Sequence, residues 1–449
     1  MSTKFSVPRG TADVLPVDAA RWQKLEQTAR QIFNLYGYKE IRTPAFEDVE
    51  LFARSMGQTS DVVQKQMLQL QAQKNSEEGD LQASRFALRP EGTASVVRSY
   101  IENSLDKKEP LTKVYYLGAM FRGERPQKGR LRQFHQLGAE AIGPGTGSPS
   151  LDAEMIAMSV NILKALGIKE FQLKINTLGA PEDKENFSKF LREQLKKHVT
   201  ELCPDCQSRF ERNVLRILDC KNKTCRSIVD KLNLSSQAHL SDESRKYFAD
   251  VREFLDNLKI GYTADPKLVR GLDYYTHTVF EISCPSLGSQ DALGAGGRYN
   301  NLVRELGGSE GVEAVGFALG IERILLALPE QPAAAASKDI CVIAMDEASW
   351  KTAFGFADNL RRVVLDLANT NPVLKNVSVD MSHRYSASLK SQLRLADSKG
   401  SRFVALLGEN ELKDGSVTLK DMARKEQKPL PGALNDVSIF TKEIIERCI

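Results

Sequence analysis

The sequence predicts a mixed α/β protein: an α+β domain first, a helical insertion within it, and a smaller α/β domain last. Three observations carry this. Residues 114–121 and 134–142 are apolar and aromatic enough to be strands, and a short basic segment with Pro126 and Gly129 closes them into a hairpin. Residues 183–257 are charged, lysine-rich and mostly of helical period, and they interrupt strand-rich sequence that resumes at Leu268. Beyond residue 339, apolar strands alternate with periodic helices, the pattern of a small domain with a largely parallel sheet.

At 449 residues the chain has room for two or three domains with separate cores. A helical run at 19–36 leads into Ile41-Arg42-Thr43-Pro44, and the hairpin follows. Within the insertion, 187–197 has the clearest helical period. Residues 329–338, with Pro329, Pro332 and the alanines 333–336, read as a linker between a first domain, 1–328, and a last one, 339–449. In that last part 339–344, 377–380 and 403–408 are strands, and 349–366 and 386–399 are helices.

Hydrophobic residues at 41% and charged residues at 27% describe an ordinary soluble protein. No run approaches membrane-spanning length, and the N-terminus lacks the apolar core of a secretory signal, so no membrane partner is expected. The net charge of +4 permits an anionic partner without demanding one. Seven cysteines, an odd number outside any small disulfide framework, point to a reducing cytoplasm.

The hairpin tip carries the chemistry. Arg122, Arg125, Lys128, Arg130 and Arg132 crowd into it, with Arg122 and Gln136 at its roots. Guanidinium groups are planar forks that match phosphate oxygens, so such a tip suits a polyphosphate better than a core. From charge alone, a solvated basic loop explains it equally well.

Its context is a set of blocks that together resemble histidyl-tRNA synthetase of the bacterial type, a class II aminoacyl-tRNA synthetase. The hairpin, 114–142, is similar to motif 2, and 41–57 to the dimer-forming motif 1. Residues 315–328, VGFALGIERILLAL, resemble motif 3. The blocks 269–281 (VRGLDYYTHTVFE) and 294–299 (GAGGRY) resemble the two that are peculiar to the histidine enzyme. Pro8-Arg9-Gly10-Thr11 and 88–93 (LRPEGT) match as well. The resemblance covers essentially the whole chain. It implies an antiparallel-sheet catalytic domain with an inserted helical domain at 183–257, and a C-terminal anticodon-binding domain. It also implies a homodimer that activates L-histidine with ATP and Mg2+ and charges tRNA(His).

The resemblance also implies roles. Arg122 and Arg270 match the catalytic arginines on the α-phosphate, which also belong to the histidine site. Glu91, Gly92, Thr93 and Gln136 match residues around the α-amino group, Glu140 and Tyr275 those at the imidazole, and Tyr274 the same wall. A pocket that pairs both ring nitrogens penalises an apolar isostere strongly. Arg323, Phe134, Glu124 and Arg130 match ATP contacts, although a strand phenylalanine is by default a core residue. Gln127 and Arg132 match the region that meets the tRNA acceptor stem. Gly294, Gly296 and Gly297 would let a ligand approach a strand backbone, or mark a sheet bulge.

Cys203, Cys206, Cys220 and Cys225 are separated by two, thirteen and four residues, close to the spacing of four-cysteine zinc sites. A zinc there would be structural. The family does not depend on zinc, so a metal-free cluster is the other reading. For the chain as a whole, two readings compete with the ligase. One is a silent paralogue that senses histidine as the regulatory subunit of ATP phosphoribosyltransferase, and the other a general RNA-binding module. Retention of Arg122, Arg270, Arg323 and a C-terminal domain weighs against the first, and the match to an imidazole pocket against the second.

Overall fold

A computed structural model describes residues 5–58, 60–70, 85–232, 234–329, 339–375, 377–383 and 386–448; the expected linker, apart from Pro329, lies outside the described residues. The chain divides into two compact units, Met1–Pro329 and Glu330–Ile449. Among the described residues no helix is long and apolar enough to cross a membrane.

In the first unit, α1 (Pro16–Leu35) starts on a proline and buries Leu25, Ala29 and Phe33 along one stripe. Then come β1 (Lys39–Glu40), β2 (Phe46–Asp48), α2 (Val49–Met56), β3 (Phe86–Leu88) and α3 (Thr93–Glu102). The hairpin strands β4 (Thr112–Phe121) and β5 (Gln133–Pro144) lead to α4 (Pro149–Ala165), capped by the Ser148 hydroxyl, and to β6 (Gln172–Thr177). The insertion supplies α5 (Pro181–Leu195), α6 (Pro204–Arg212), α7 (Lys223–Lys231) and α8 (Asp242–Asn257). The unit ends with β7 (Thr263–Ala264), β8 (Thr276–Ser283), β9 (Ala292–Arg298), α9 (Leu302–Glu305), β10 (Val312–Gly320) and α10 (Ile321–Ala327).

Eight of these strands form one sheet in the order β1-β4-β5-β10-β9-β8-β6-β7. Neighbours from β4 to β6 are antiparallel, and only the two-residue edge strands pair in parallel. The pleat sorts their side chains. Tyr115, Leu137, Ala139, Ala141, Val315 and Leu319 join a core with α1, α4 and α8. The alternate positions, among them Tyr116, Met120, Phe134, Gln136, Glu140 and Gly316, face the other way.

The insertion shares its core with the sheet unit. Phe187, Leu191 and Leu195 of α5, with Ile217 and Leu218, pack in one cluster with Phe52, Met56 and Tyr274. Within the insertion, the Asp183 carboxylate accepts from Ala180 N at 2.9 Å, Ser241 N at 2.8 Å and the Ser244 hydroxyl at 2.6 Å. One side chain thus serves the starts of both α5 and α8.

The glycines of β9 act on the sheet itself. A Cβ on Gly296 would collide with Gly316 O and the Phe317 side chain, and one on Gly297 with Thr278 O, so strands β8 and β10 fill that space. Only Gly294 of the three reaches the cavity described below. The ligand reading of Gly296 and Gly297 is therefore corrected in favour of close strand packing, beside a register shift between β8 and β9.

The second unit contains β11 (Ile340–Ala344), α11 (Glu347–Ala368), β12 (Val379–Met381), α12 (Leu389–Ser398), β13 (Phe403–Leu407), α13 (Glu409–Asp414), β14 (Val417–Asp421), β15 (Glu426–Leu430) and α14 (Ser438–Cys448). Its sheet runs β12-β11-β13-β14-β15. The first three strands are parallel, but β14 and β15 pair antiparallel, so the sheet is mixed rather than largely parallel. For β15 the reason is local: a tight turn through Lys425, at φ 59°, can only return a strand antiparallel to the one before it.

Among the described residues, the first unit's most deeply buried ion pair ties β9 to α4. Arg298 and Asp152 are both fully buried, with Arg298 Nε donating to Asp152 Oδ1 at 2.9 Å and Tyr247 donating to Oδ2 at 3.1 Å. Asp152→Ala strands the guanidinium without its carboxylate and should cost about 3–5 kcal/mol. Urea unfolding of the variant checks this.

Candidate active site

The site grows from the sheet face opposite α1 and α4. Phe134 and Gln136 of β5, Gly316 of β10 and Glu281 of β8 floor a cavity of about 490 Å³. Its walls come from the hairpin tip, the segment before β8, the insertion, and the starts of α3, β9 and α10.

The tip splits its charges by direction. Arg122 and Arg130 turn into the cavity, while Arg125, Gln127, Lys128 and Arg132 are exposed. Arg122 Nε donates to Pro90 O at 2.9 Å, and its guanidinium lies 5.2 Å from the Phe134 ring centroid, so that ring already carries a cation. Arg130 pairs with Glu124. Arg323, at the start of α10, staples the tip in place by donating to Gly129 O at 2.9 Å and Ala292 O at 2.7 Å. Its neighbour Glu322 accepts from His135 N at 2.9 Å, fixing α10 to β5.

Arg270 enters from the segment before β8 and pairs with Glu281. Tyr274 and Tyr275 follow it, both buried, with ring centroids 4.6 Å apart. Burial, followed by the charge of neighbouring arginines, holds Arg130 and Arg323 below the ordinary guanidinium range; burial does the same to Arg122, with Arg270 adding to it. Each inward arginine nevertheless has a fixed partner, so the cavity is a set of preset forks rather than a bare cationic patch.

Glu91 sits at the start of α3 and accepts from Thr93 N and Ala94 N, both at 2.8 Å. Burial raises its carboxyl despite these bonds and the charge of Arg122. Gly92 is buried because the Tyr116 ring occupies the space a side chain would need. Gln136 Oε1 and Arg270 Nε are buried with no hydrogen-bond partner among the described residues. Such orphaned groups cost about 1–3 kcal/mol each unless a ligand satisfies them.

The structure thus brings Glu91, Thr93, Arg122, Glu124, Arg130, Phe134, Gln136, Arg270, Tyr274, Tyr275 and Arg323 to one cavity. Glu140, Gly92, Gln127 and Arg132 do not line it. Glu140 is fully buried one layer down, where the Thr93 hydroxyl donates to it at 2.7 Å and the Tyr299 hydroxyl donates as well. Arg132 holds the outside of the hairpin, where its backbone N donates to Gly10 O at 2.7 Å. Sequence reasoning missed Tyr299, though it closes the 294–299 block, and it missed Glu281, Asp219 and Lys221. Nothing in the local sequence of the last two marks them.

Residues 10–324 match the family model for histidyl-tRNA synthetase, and residues 339–439 that for an anticodon binding domain. The histidine–tRNA ligase of Halothermothrix orenii is 43% identical over 423 residues, covering 94% of this chain and 95% of that protein. Apo S. aureus histidyl-tRNA synthetase superposes with a TM-score of 0.75 at 34% identity, covering 98% of this chain and 99% of its own. A Bacillus halodurans C structure, described as an ATP phosphoribosyltransferase regulatory subunit/histidyl-tRNA synthetase, gives a TM-score of 0.62 at 22% identity, covering 91% of this chain and 99% of its own. At that identity the likeness is one of fold alone.

Burial pushes the Glu140 carboxyl up to about 8 from an ordinary 4.5. Between those values the folded protein keeps a proton that the unfolded chain has released. Stability from this group is therefore full below the lower value and lost as the pH rises through the upper one. Glu140→Gln keeps an amide against both hydroxyls and cannot ionise. Its urea midpoint, measured relative to wild type, should rise from about pH 5 to about pH 8.5; a constant difference would contradict the assignment.

Proposed function

The chain belongs to the histidyl-tRNA synthetase family, and from that premise we propose that it is a histidine–tRNA ligase whose cavity holds histidine and ATP together. It activates L-histidine with ATP to histidyl-adenylate, releasing pyrophosphate, and passes histidine to the 3′ end of tRNA(His). One observation carries the assignment of the cavity: four inward arginines share it with the unsatisfied Gln136 Oε1 and with the Glu91–Thr93 and Tyr274–Tyr275 walls.

The histidine carboxylate attacks the α-phosphorus, and charge builds on the phosphoryl oxygens as pyrophosphate leaves. No covalent protein nucleophile is needed. The protein aligns the reactants and neutralises that charge. Arg122, preset by Pro90 O and Phe134, and Arg270, preset by Glu281, clamp the reacting phosphoryl group at little cost in reorganisation. Arg323, Phe134, Arg130 and Glu124 hold the rest of the nucleotide. Glu91, Thr93 and Gln136 receive the α-ammonium, and Tyr274 and Tyr275 wall the imidazole. Glu140 acts on the ring end through the Thr93 and Tyr299 hydroxyls it orients, which makes it a positioning residue.

Glu124, Glu281 and Asp291 face the cavity, and one or two such carboxylates together with the nucleotide's phosphates would hold a magnesium ion that arrives on the nucleotide and would neutralise charge on the leaving pyrophosphate. A homodimer is supported by the apolar surface of the β2–β3 pair, where Phe46 and Phe86 are 49% and 41% exposed with rings 5.9 Å apart. The second unit reads the anticodon. The silent regulatory reading has less support, since nothing it requires explains four arginines preset in one cavity.

Arg270→Ala should lower histidine-dependent exchange of labelled pyrophosphate into ATP by about 100- to 1,000-fold while the protein stays folded. Exchange within a few-fold of wild type would remove Arg270 from catalysis. At the exposed tip, Gln127→Ala and Arg132→Ala should slow charging of tRNA bearing an extra 5′ nucleotide, leave exchange nearly untouched, and narrow the gap from tRNA lacking it. A gap of unchanged width in both variants places that recognition elsewhere.

A further inference from the structure

We propose that Cys203, Cys206, Cys220 and Cys225 form a tetrahedral zinc site that fixes the insertion's part of the cavity wall. The four sulfurs converge from three places: Cys203 and Cys206 at the start of α6, Cys220 in the segment after it, and Cys225 in the first turn of α7. All four lie within 4.8 Å of one another, and Cys203 Sγ stands 3.8 Å from Cys220 Sγ. Zinc bonds of about 2.3 Å in tetrahedral geometry set sulfurs about 3.8 Å apart. Disulfide bonding needs about 2.05 Å, and all four cysteines are free thiols.

Two further observations favour a metal over four packed thiols. Backbone N–H groups aim at the sulfurs, Cys203 N at Cys225 Sγ (3.2 Å) and Asn222 N at Cys220 Sγ (3.4 Å), which suits thiolates better than thiols. In addition, α6 has a single buried residue, Cys206 itself. Beyond Cys206 its apolar hold is the partly buried Phe210 one turn on, and a metal bond adds an anchor that this thin face lacks.

The site's position gives it a consequence. Asp219 and Lys221, on either side of Cys220, both line the cavity. The same segment is tied to the block that carries Arg270: Arg216 donates to Gly271 O at 3.0 Å, and Asn213 to the Asp273 carboxylate. Residues 213–219 therefore join Cys220 to the Arg270 segment. Metal at the thiols fixes one side of this wall, a statement that rests on the cavity being the histidine and ATP site.

Full-length protein from zinc-supplied cells should carry about one zinc per chain by mass spectrometry. Cys206→Ser and Cys225→Ser should carry none, and Cys341→Ser, in the other unit, should keep it. Because a serine variant can fail to fold, wild type loaded with Co2+ should also show thiolate charge-transfer and tetrahedral d–d bands. Stripping the metal from wild type should lower kcat/KM for pyrophosphate exchange by about 10- to 100-fold, with recovery on adding zinc back. Absence of both zinc and cobalt bands overturns the site. Zinc that can be stripped with no change in exchange overturns its hold on the cavity. Stoichiometric zinc in a protein that never exchanges pyrophosphate supports the metal site and counts against the function proposed above.

Discussion

Because successive side chains of a strand point to opposite faces, β5 can present Phe134 and Gln136 to the cavity only by sending Leu137, Ala139 and Ala141 into the layer of α1 and α4. The same rule holds for β10, where Val315 and Leu319 go one way and Gly316 and Ala318 the other. A slip of one residue would put Gln136 and Glu140 into the helical core and the apolar set into the cavity. Antiparallel pairing of β5 with β4 on one side and β10 on the other removes that freedom. The site inherits its geometry from this register.

Polar groups buried around that face are held by partners from distant parts of the chain. Glu140 meets Thr93 and Tyr299, Glu322 the backbone of His135, and Asp152 Arg298. Each bond joins two elements, so the arrangement is over-determined. The arginines are treated alike: backbone carbonyls hold Arg122 and Arg323, and carboxylates hold Arg130 and Arg270. Fixed donors of this kind stabilise developing charge without reorganising first.

The insertion is part of the same construction. Its apolar residues enter a cluster with Phe52, Met56 and Tyr274, and its residues 213–221 meet the Arg270 segment. Lysine-rich and helical in sequence, it looks separable; through its share of that cluster and the bond from Arg216 to Gly271 it is bound into the sheet unit.

The sequence by itself determined what depends on near neighbours. The period of α1, the hairpin with Arg122 and Gln136 at its roots, the alternation of the second unit and the convergence of four cysteines in one insertion could all be read from it, because pattern and spacing act within a few turns or one loop. What depends on contacts between distant segments could not. Whether Glu140 touches a ligand or lies beneath Thr93 and Tyr299 is set by residues more than forty positions away on either side. Asp219 and Lys221 join the cavity only because the insertion folds back onto the Arg270 segment. Gly296 and Gly297 are explained by the strands beside them, and Arg132 by the backbone of Gly10. In each case the deciding partner is brought by strand register and core packing, which no local stretch of the chain contains.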